Sequence, residues 1–397
     1  MRQATPGDEA ELEVREDHRS YAFADITRLL EAGPSRRTPP CEYLPRCGGC
    51  PWQHVAYTAQ LDAKQRAVDD LLLRIGRLDA PHVLPIIAAR EEYGYRRRLS
   101  LRVENDRVGY FAAATHDLVA VEHCLLAAPE LEGALPLVQR WIETLATRIN
   151  RVEVAADGQD GGLVFAAQAE GGLSEADAGA SESFLAAHAR VRGMMLRGRG
   201  WRRSWGEPRL RVALHGGESI AVHAGGFTQV NAAANEVLVA TALDFAACAA
   251  GDRVADLYAG FGNITFPLAR RAAEVIAVER DAESARDGEA HARAHGYDAV
   301  RFVAAGVPAV LSSWVKERRR VDIAVLDPPR SGAAGATSAL VALAPRRVVY
   351  VSCNPSTLAR DLALLAPRYR IGRIQPIDFF PQTYHVETVV ELVLTDR

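Results

Sequence analysis

Lysine is almost missing from this chain of 397 residues: Lys64 and Lys316 are the only two among 47 basic side chains. Beside so much alanine, that bias reads as GC-rich coding, so total arginine content proves nothing about partners. A surplus of either charge is missing too, since 47 basic residues face 50 acidic ones for a formal net charge of −3. The molecule is no polycation, and a nucleic acid would have to be held by a local patch. No run reaches the ~18 consecutive apolar residues of a membrane span. The N-terminus, MRQATPGDEAELEVRED, is acidic where a secretory signal needs an apolar core. No internal repeat is evident. With 48% hydrophobic and 24% charged residues the composition excludes wholesale disorder. What remains is a globular chain, expected to be soluble, cytoplasmic and without a membrane partner, with length for two or three domains of ~100–200 residues.

Cysteine is scarce but clustered. Of Cys41, Cys47, Cys50, Cys124, Cys248 and Cys353, three fall within the ten residues CEYLPRCGGC. In a cytosolic chain of this size a disulfide framework is disfavoured, and close spacing points to metal or catalysis. Cys41-x5-Cys47-x2-Cys50 with the distant Cys124 offers four thiolates, a set that suits zinc or an iron–sulfur cluster. Zinc sites generally use two CxxC-type knuckles, so the wide run favours [4Fe–4S], with zinc or unliganded thiols as alternatives. Its expected role is structural, tying residues 41–50 to the strands before 124. Cys248, in an alanine-rich run, reads as packing.

Along the chain, residues 8–30 alternate in strand fashion and AYTAQLDAKQRAVDDLLLRIG has helical spacing. Short strand-like pieces fill residues 95 to 215, interrupted by GGLSEADAGASES (171–183), expected to be an exposed, mobile loop. Beyond Phe227 the pattern becomes strand–helix alternation, with apolar strands in RVADLYA, EVIAVER, VRFVAA, DIAVLDPP, RRVVYVSC, YRIGRIQPI and VETVVELVL. That alternation predicts a doubly wound α/β sheet with ligands at the carboxyl ends of its strands. FFPQTYH leaves no room for a helix, so the last two strands should pair antiparallel. A seven-stranded sheet with a reversed last strand is, by analogy, the class I methyltransferase architecture.

The strand ends carry the chemistry. Asp256-Leu-Tyr-Ala-Gly260-Phe-Gly262-Asn263 is a glycine turn, but the third glycine of GxGxxG falls at Thr265, which disfavours a pyrophosphate contact. Glu279 ends the next strand, where a carboxylate can accept from ribose hydroxyls. Adenosine without pyrophosphate suggests S-adenosylmethionine; a purely structural turn and NAD are the alternatives. Asp327-Pro-Pro-Arg330 aims a carboxylate into the strand-end crevice, since two prolines force an extended exit; the bland reading is a helix cap. Similar Asp-Pro-Pro turns bind target amines in amino-methyltransferases. Cys353, in Ser352-Cys353-Asn354-Pro355, would be a nucleophile if positive charge or a helix dipole lowered its pKa, and otherwise inert packing. Phe380-Pro-Gln-Thr-Tyr-His385-Val-Glu387 brings His385 and Glu387 to the same edge, and burial would raise the pKa of Glu387 toward the range useful for proton transfer.

Taken in order, DLYAGFGN, DPPRSG, VSCNPSTLARDL and FPQTYHVETV resemble the signature set of the RNA 5-methyluridine methyltransferases, and Phe227-Thr-Gln229-Val-Asn231 resembles that family's further cofactor motif. The resemblance covers most of residues 225–397. It implies Cys353 as the nucleophile on uracil C6, Glu387 as the base that removes the C5 proton, and Asp327 as the group holding the uracil edge. It assigns the cofactor to Gln229, Tyr258, Asn263, Glu279 and Asp327. The family's usual adenine-binding Asp falls near Gly306 here, and Ala259 replaces a commoner Cys. Iron–sulfur members share the CGGC run, with a fourth ligand after a stretch like Gly109-Tyr110…His116…Cys124, which implies Cys41, Cys47, Cys50 and Cys124 as cluster ligands.

For RNA capture, Tyr95-Arg96-Arg97-Arg98 resembles a family motif, and residues 190–211 carry eight arginines against Glu207 with Trp201 and Trp205 interleaved. Arginine and aromatic faces suit looped RNA, the alternative being a solvated strand face. Longer relatives carry a small oligonucleotide-binding barrel before the cluster; residues 1–40 match only its last part. The expected division is a truncated β segment (1–40), an iron–sulfur and RNA-binding domain (41–215) and a methyltransferase domain (216–397). The expected activity is S-adenosylmethionine-dependent C5 methylation of a uridine in structured RNA by a monomer. Ribosomal RNA is favoured, because tRNA-specific bacterial relatives typically lack the cysteines, with tRNA as the alternative. An amino-methyltransferase and a non-catalytic iron–sulfur RNA-binding factor are the rival classes.

Overall fold

The computed structural model describes residues 3–395. An N-terminal hairpin, β1 (Glu9–His18) and β2 (Tyr21–Glu31), forms a two-stranded sheet of its own. The cysteine loop follows, then α1 (Tyr57–Arg74), whose buried residues Gln60, Lys64, Val68 and Leu72 recur every four positions. That spacing gives one inward stripe. Val68 and Leu72 join the core below the C-terminal sheet, and β3 (His82–Val83) adds a two-residue strand to that sheet's edge.

A seven-stranded sheet occupies the middle of the chain, in the order β10-β9-β8-β7-β4-β5-β6. Its strands are β4 (Arg98–Glu104), β5 (Arg107–Phe111), β6 (Leu118–Ala120), β7 (Ile149–Ala156), β8 (Leu163–Ala169), β9 (Val191–Gly198) and β10 (Trp201–Gly206). Helices α2 (Ala134–Glu143) and α3 (Glu175–Ala187) pack on it through Leu135, Val138, Trp141 and Phe184.

Helix α3 corrects the expectation of a mobile loop at 171–183. Strands β8 and β9 pair in parallel, which requires the chain to cross back over the sheet. Ser174 and Asp177 form a capping box at the helix start. The buried Asp177 carboxylate also accepts from Ala146 N at 2.6 Å and Thr147 N at 3.2 Å.

A short hairpin, β11 (Arg209–Ala213) and β12 (Ser219–His223), leads into the strand–helix alternation. The elements are α4 (Ala232–Ala246), β13 (Arg253–Leu257), α5 (Thr265–Ala269), β14 (Glu274–Glu279), α6 (Ala282–Ala294), β15 (Val300–Ala304), α7 (Val307–Glu317), β16 (Ile323–Leu326), α8 (Ala334–Leu343), β17 (Arg347–Ser352), α9 (Pro355–Leu365), β18 (Tyr369–Ile377) and β19 (Glu387–Leu394). The sheet order is β15-β14-β13-β16-β17-β19-β18-β3. The seven expected strands are there, and β3 makes an eighth. Strands β13 to β17 run parallel, while β19 pairs antiparallel with both β17 and β18. One face packs on α1, α7, α8 and α9, the other on α4 and α5. The sheet is therefore wound on both sides, and its carboxyl ends open onto one crevice.

Candidate active site and cysteine pocket

The antiparallel register of β17 against β19 does most of the assembly. Ser352 pairs with Thr388, so Cys353, one residue later, and Glu387, one residue earlier, stand opposite each other at the end of the sheet. Leu326 of β16 pairs with Tyr350 of β17, which puts Asp327 at the same end on the adjacent strand. Glu387 is buried, with Cys353 and Asp327 half-buried. Cys353 directly precedes Asn354, whose side chain caps α9 by accepting from Ser356 N at 3.1 Å. The thiol thus sits at a helix N-terminus.

Electrostatically the three acids oppose one another. Burial lifts the Cys353 thiol to about 11, helped by the charges of Glu387 and Asp327 and resisted by Arg330. Burial raises Asp327 to about 7 and Glu387 well above the usual carboxylate range, the latter also through the charge of Asp327. The positive charge needed to favour a thiolate is Arg330, the last residue of the Asp-Pro-Pro-Arg turn. The sequence reading quotes that arginine in Asp327-Pro-Pro-Arg330 without giving it a role. Arg330 donates to His385 Nε2 at 3.2 Å, and desolvation with nearby cations lowers His385 to about 4, so the imidazole is neutral and accepts.

The glycine turn lies at the end of β13. Tyr258 adopts φ 63° and its N–H reaches Val278 O at 2.9 Å. Gly260, at φ 58°, has open space where a Cβ would project. The Glu279 carboxylate accepts from Gly260 N at 2.9 Å and Asp281 N at 2.7 Å, fixing the turn while leaving each oxygen a further lone pair. Thr265, at the position of the third glycine of GxGxxG, donates to the buried Asp256 at 2.5 Å. Asn263 and Asn235 of α4 exchange reciprocal amide bonds of 2.8 and 3.0 Å. Gln229, Asn235, Phe261 and Asn263 line one cleft of about 250 Å³, with Arg97 and Arg98 on its rim. Tyr258 and Glu279 are not among its lining residues; they flank the glycine turn instead. Gly306 caps the start of α7, with nothing near the position of a Cβ.

Cys41, Cys47, Cys50 and Cys124 all line a single cavity of about 50 Å³, together with Tyr43, Tyr110 and Arg96. The loop docks through Gly48, whose N–H reaches Phe111 O at 3.0 Å; a Cβ there would press on that same carbonyl at 3.0 Å. Burial raises the Cys47 and Cys124 thiols and pushes Cys50 up to about 12. Arg96 faces these sulfurs, and its Nε is buried without a hydrogen-bond partner. Cys248 lies just past the end of α4. A further group, Glu218, His291 and His295, is an ion-pair network, since Glu218 is taken by Arg270 at 2.9 Å and Tyr297 at 2.6 Å.

Two basic stretches differ from expectation. In residues 95–98, Arg96 faces the cysteine cavity, Arg97 pairs with Glu130 at 3.1 Å, and Arg98 lies near Glu153 at 3.8 Å. In residues 190–211, Trp205 is only 5% exposed and belongs to the core, so it offers no stacking face. Trp201 donates to Gly171 O at 2.8 Å. Arg192, Arg202, Arg209 and Arg211 are engaged by acidic side chains from neighbouring elements, leaving Arg197, Arg199 and Arg203 exposed. Core packing accounts for the tryptophan: Trp205 of β10 stands opposite Met194 of β9, and both belong to the apolar core of the central sheet.

A doubly wound sheet with a reversed β19, a glycine turn after its first strand and acids at the ends of its middle strands defines a class I methyltransferase. The solved Pyrococcus abyssi tRNA (uracil-54, C5)-methyltransferase, in complex with S-adenosyl-L-homocysteine, superposes on the chain with a TM-score of 0.76 over 99% of this chain and 95% of that one, at 22% identity. The profile of a family described as tRNA (Uracil-5-)-methyltransferase matches residues 218–395. Proteins named 23S rRNA (uracil(1939)-C(5))-methyltransferase RlmD are similar almost throughout. That of Edwardsiella ictaluri is 36% identical over 97% of this chain and 88% of its own length, and that of Yersinia enterocolitica 35% over 97% and 88%. The chain belongs to the RNA uracil-C5 methyltransferase family, and is an S-adenosylmethionine-dependent enzyme.

Proposed function

We propose that the chain methylates C5 of one uridine in structured RNA, with 23S ribosomal RNA as the substrate, by way of a covalent bond between Cys353 and uracil C6. The observation that carries this reading is the placement of Cys353 opposite Glu387 across the β17–β19 register, with Asp327 beside them. Uracil C5 is a poor nucleophile. Addition of the Cys353 sulfur to C6 makes an enolate with electron density at C5. S-adenosylmethionine, when bound, supplies an electrophilic methyl group. Glu387 then takes the C5 proton, the C5=C6 bond re-forms, and the sulfur leaves C6. Asp327 accepts from uracil N3–H. Arg330 favours the thiolate against the two carboxyls. A base stacked within a helix cannot present C6 to a thiol, so the target is unpaired or flipped out. Arg197, Arg199 and Arg203 supply exposed cations for phosphate, and the similarity to ribosomal RNA enzymes supports that substrate class over tRNA.

The residues present fit the methyl donor. The glycine turn leaves open space at Gly260, Glu279 has free lone pairs for ribose hydroxyls, and Gln229 and Asn263 line the adjoining cleft. Tyr258 flanks the turn and Asp327 closes it toward the reacting atoms. Asn263→Leu should weaken binding of S-adenosylhomocysteine in calorimetric titration. It also strands the Asn235 amide, at a cost of about 1–3 kcal/mol in stability. Undiminished affinity would remove Asn263 from the cofactor pocket.

The cysteine cavity fits a [4Fe–4S] cluster. All four cysteines line one cavity, and the half-buried Arg96, whose Nε is unpartnered, offsets the negative charge such a group would bring. Cys41, Cys47, Cys50 and Cys124 would hold it, and its role is to tie the cysteine loop to the central sheet. Cys50→Ser should abolish visible cluster absorbance and lower the melting temperature; unchanged iron content would refute the ligand set. Residues 41–215 then serve the cluster and RNA, residues 216–397 methyl transfer, and residues 1–40 are an accessory hairpin. All the residues this reading needs lie in one chain, as a monomer requires, and its unpaired thiols suit the reducing cytoplasm.

The function is tested by incubating the protein with 23S rRNA and tRNA transcripts and the methyl donor, then digesting to nucleosides. 5-Methyluridine in the ribosomal transcript is the expected product. Its appearance only in tRNA would change the substrate, and a methyl group on any other atom would overturn the reading.

A further inference from the structure

One of the two lysines in this arginine-dominated chain is fully buried. The Lys64 and Asp378 side chains are both 0% exposed, and Lys64 Nζ donates to Asp378 Oδ1 at 2.6 Å and to Phe380 O at 3.1 Å. One turn earlier on α1, Gln60 accepts from Gln382 N at 2.9 Å and donates to Gln382 Oε1 at 3.0 Å. From the opposite side, Trp52 N reaches Gln382 O and Tyr95 OH reaches Pro381 O, each at 3.0 Å. These bonds converge on residues 378–386, the connection from β18 to β19, whose next residue is Glu387.

A buried ion pair is an inefficient way to stabilise a fold, because desolvating two charges offsets most of their attraction; apolar side chains of similar volume do as well or better. What such a pair does supply is direction. An ammonium is a compact point charge that can serve a carboxylate and a carbonyl from one atom, whereas a guanidinium needs a plane. In a chain that uses arginine at almost every basic position, a lysine stands here, its one nitrogen bonded to both the carboxylate and the carbonyl.

We propose that Lys64 is a positioning residue for methyl transfer: by gripping Asp378 and the Phe380 carbonyl it sets the path of residues 378–386, and so the placement of Glu387 and His385 relative to Cys353. This rests on the covalent reading of the active site. Lys64 touches no reacting atom and acts only through the loop.

The test compares the full-length wild type with Lys64→Met, Lys64→Arg and the double variant Lys64→Met/Asp378→Leu, measuring melting temperature, kcat, KM for RNA and trapping on 5-fluorouridine RNA. Lys64→Met should lower kcat by roughly 10²-fold, the scale of an ångström-level misplacement, with KM little changed. The double variant removes the stranded carboxylate, so its melting temperature should recover while kcat stays low. Recovery of kcat together with melting temperature would overturn the proposal by making the pair merely structural. Should the double variant fail to fold, Lys64→Arg decides, since it keeps the charge: reduced kcat in the folded protein supports positioning, and wild-type kcat overturns it. Trapping by the wild type separates the two claims. If the wild type traps no RNA the covalent reading fails; if it traps and the variants match its kcat, only the role of Lys64 fails.

Discussion

Cys353→Ala is expected to abolish both 5-methyluridine and any covalent RNA complex, while RNA affinity stays within a few-fold of wild type. In the proposed mechanism the sulfur supplies the electron density that uracil C5 lacks, and among the described residues no second thiol stands at the ends of β16, β17 and β19 to replace it. Glu387 and Asp327 are carboxyls that burial holds above the usual range, and neither can activate C5 without prior addition at C6. Burial, helped by those carboxyls, holds the thiol at about 11, so the substitution removes no charge from the resting site and the variant should fold about as well as the wild type. Retained turnover, measured as methyl incorporation into RNA, would take Cys353 out of the mechanism.

Glu387→Gln should let the adduct form and then persist, slowing its resolution by the ~10²–10⁴-fold typical of general-base loss. The amide keeps the shape of the side chain at the head of β19 but cannot take the C5 proton. Gel-shifted covalent complex should therefore accumulate on ordinary uridine RNA with this variant, and absence of accumulation would give the base role to another group. The pH dependence follows from the same electrostatics. Glu387 works as a base only when deprotonated and Cys353 as a nucleophile only as thiolate, and both groups sit above their ordinary values. Single-turnover rates in the wild type should rise as pH is raised through about 7, where Asp327 also ionises, toward the thiol value of about 11. A rate that falls over that range would contradict the assignment of either group.

Much of the C-terminal half was legible in the sequence because most parallel strands there are apolar on both faces and end near a residue with chemistry; β15, with its exposed Arg301, is the exception. Asp256, Glu279, Asp327 and Cys353 all fall at or just beyond strand ends, and the missing helix between β18 and β19 was readable from the short FFPQTYH connection. The grouping of Cys41, Cys47 and Cys50 was readable from spacing, and the family resemblance added Cys124; all four line one cavity. What stayed hidden depends on long-range pairing. A helix at 175–187 follows from the parallel β8–β9 pair, which composition rich in Gly, Ser and Ala conceals. Arg96 and Trp205 look like nucleic-acid contacts in a linear reading, but Arg96 faces the cysteine cavity and Trp205 packs into the core of the central sheet. Lys64 and Asp378 are more than 300 positions apart, and no local pattern announces their contact.

The proposed mechanism turns on the bond between the Cys353 sulfur and uracil C6. The most direct measurement is peptide mass spectrometry on the wild-type protein after incubation with 5-fluorouridine RNA and S-adenosylmethionine. Fluorine at C5 cannot leave as a proton does, so the predicted result is a methylated fluorouridine nucleotide attached to the peptide bearing Cys353. An unmodified Cys353 peptide alongside efficient methylation of the normal uridine substrate would contradict it.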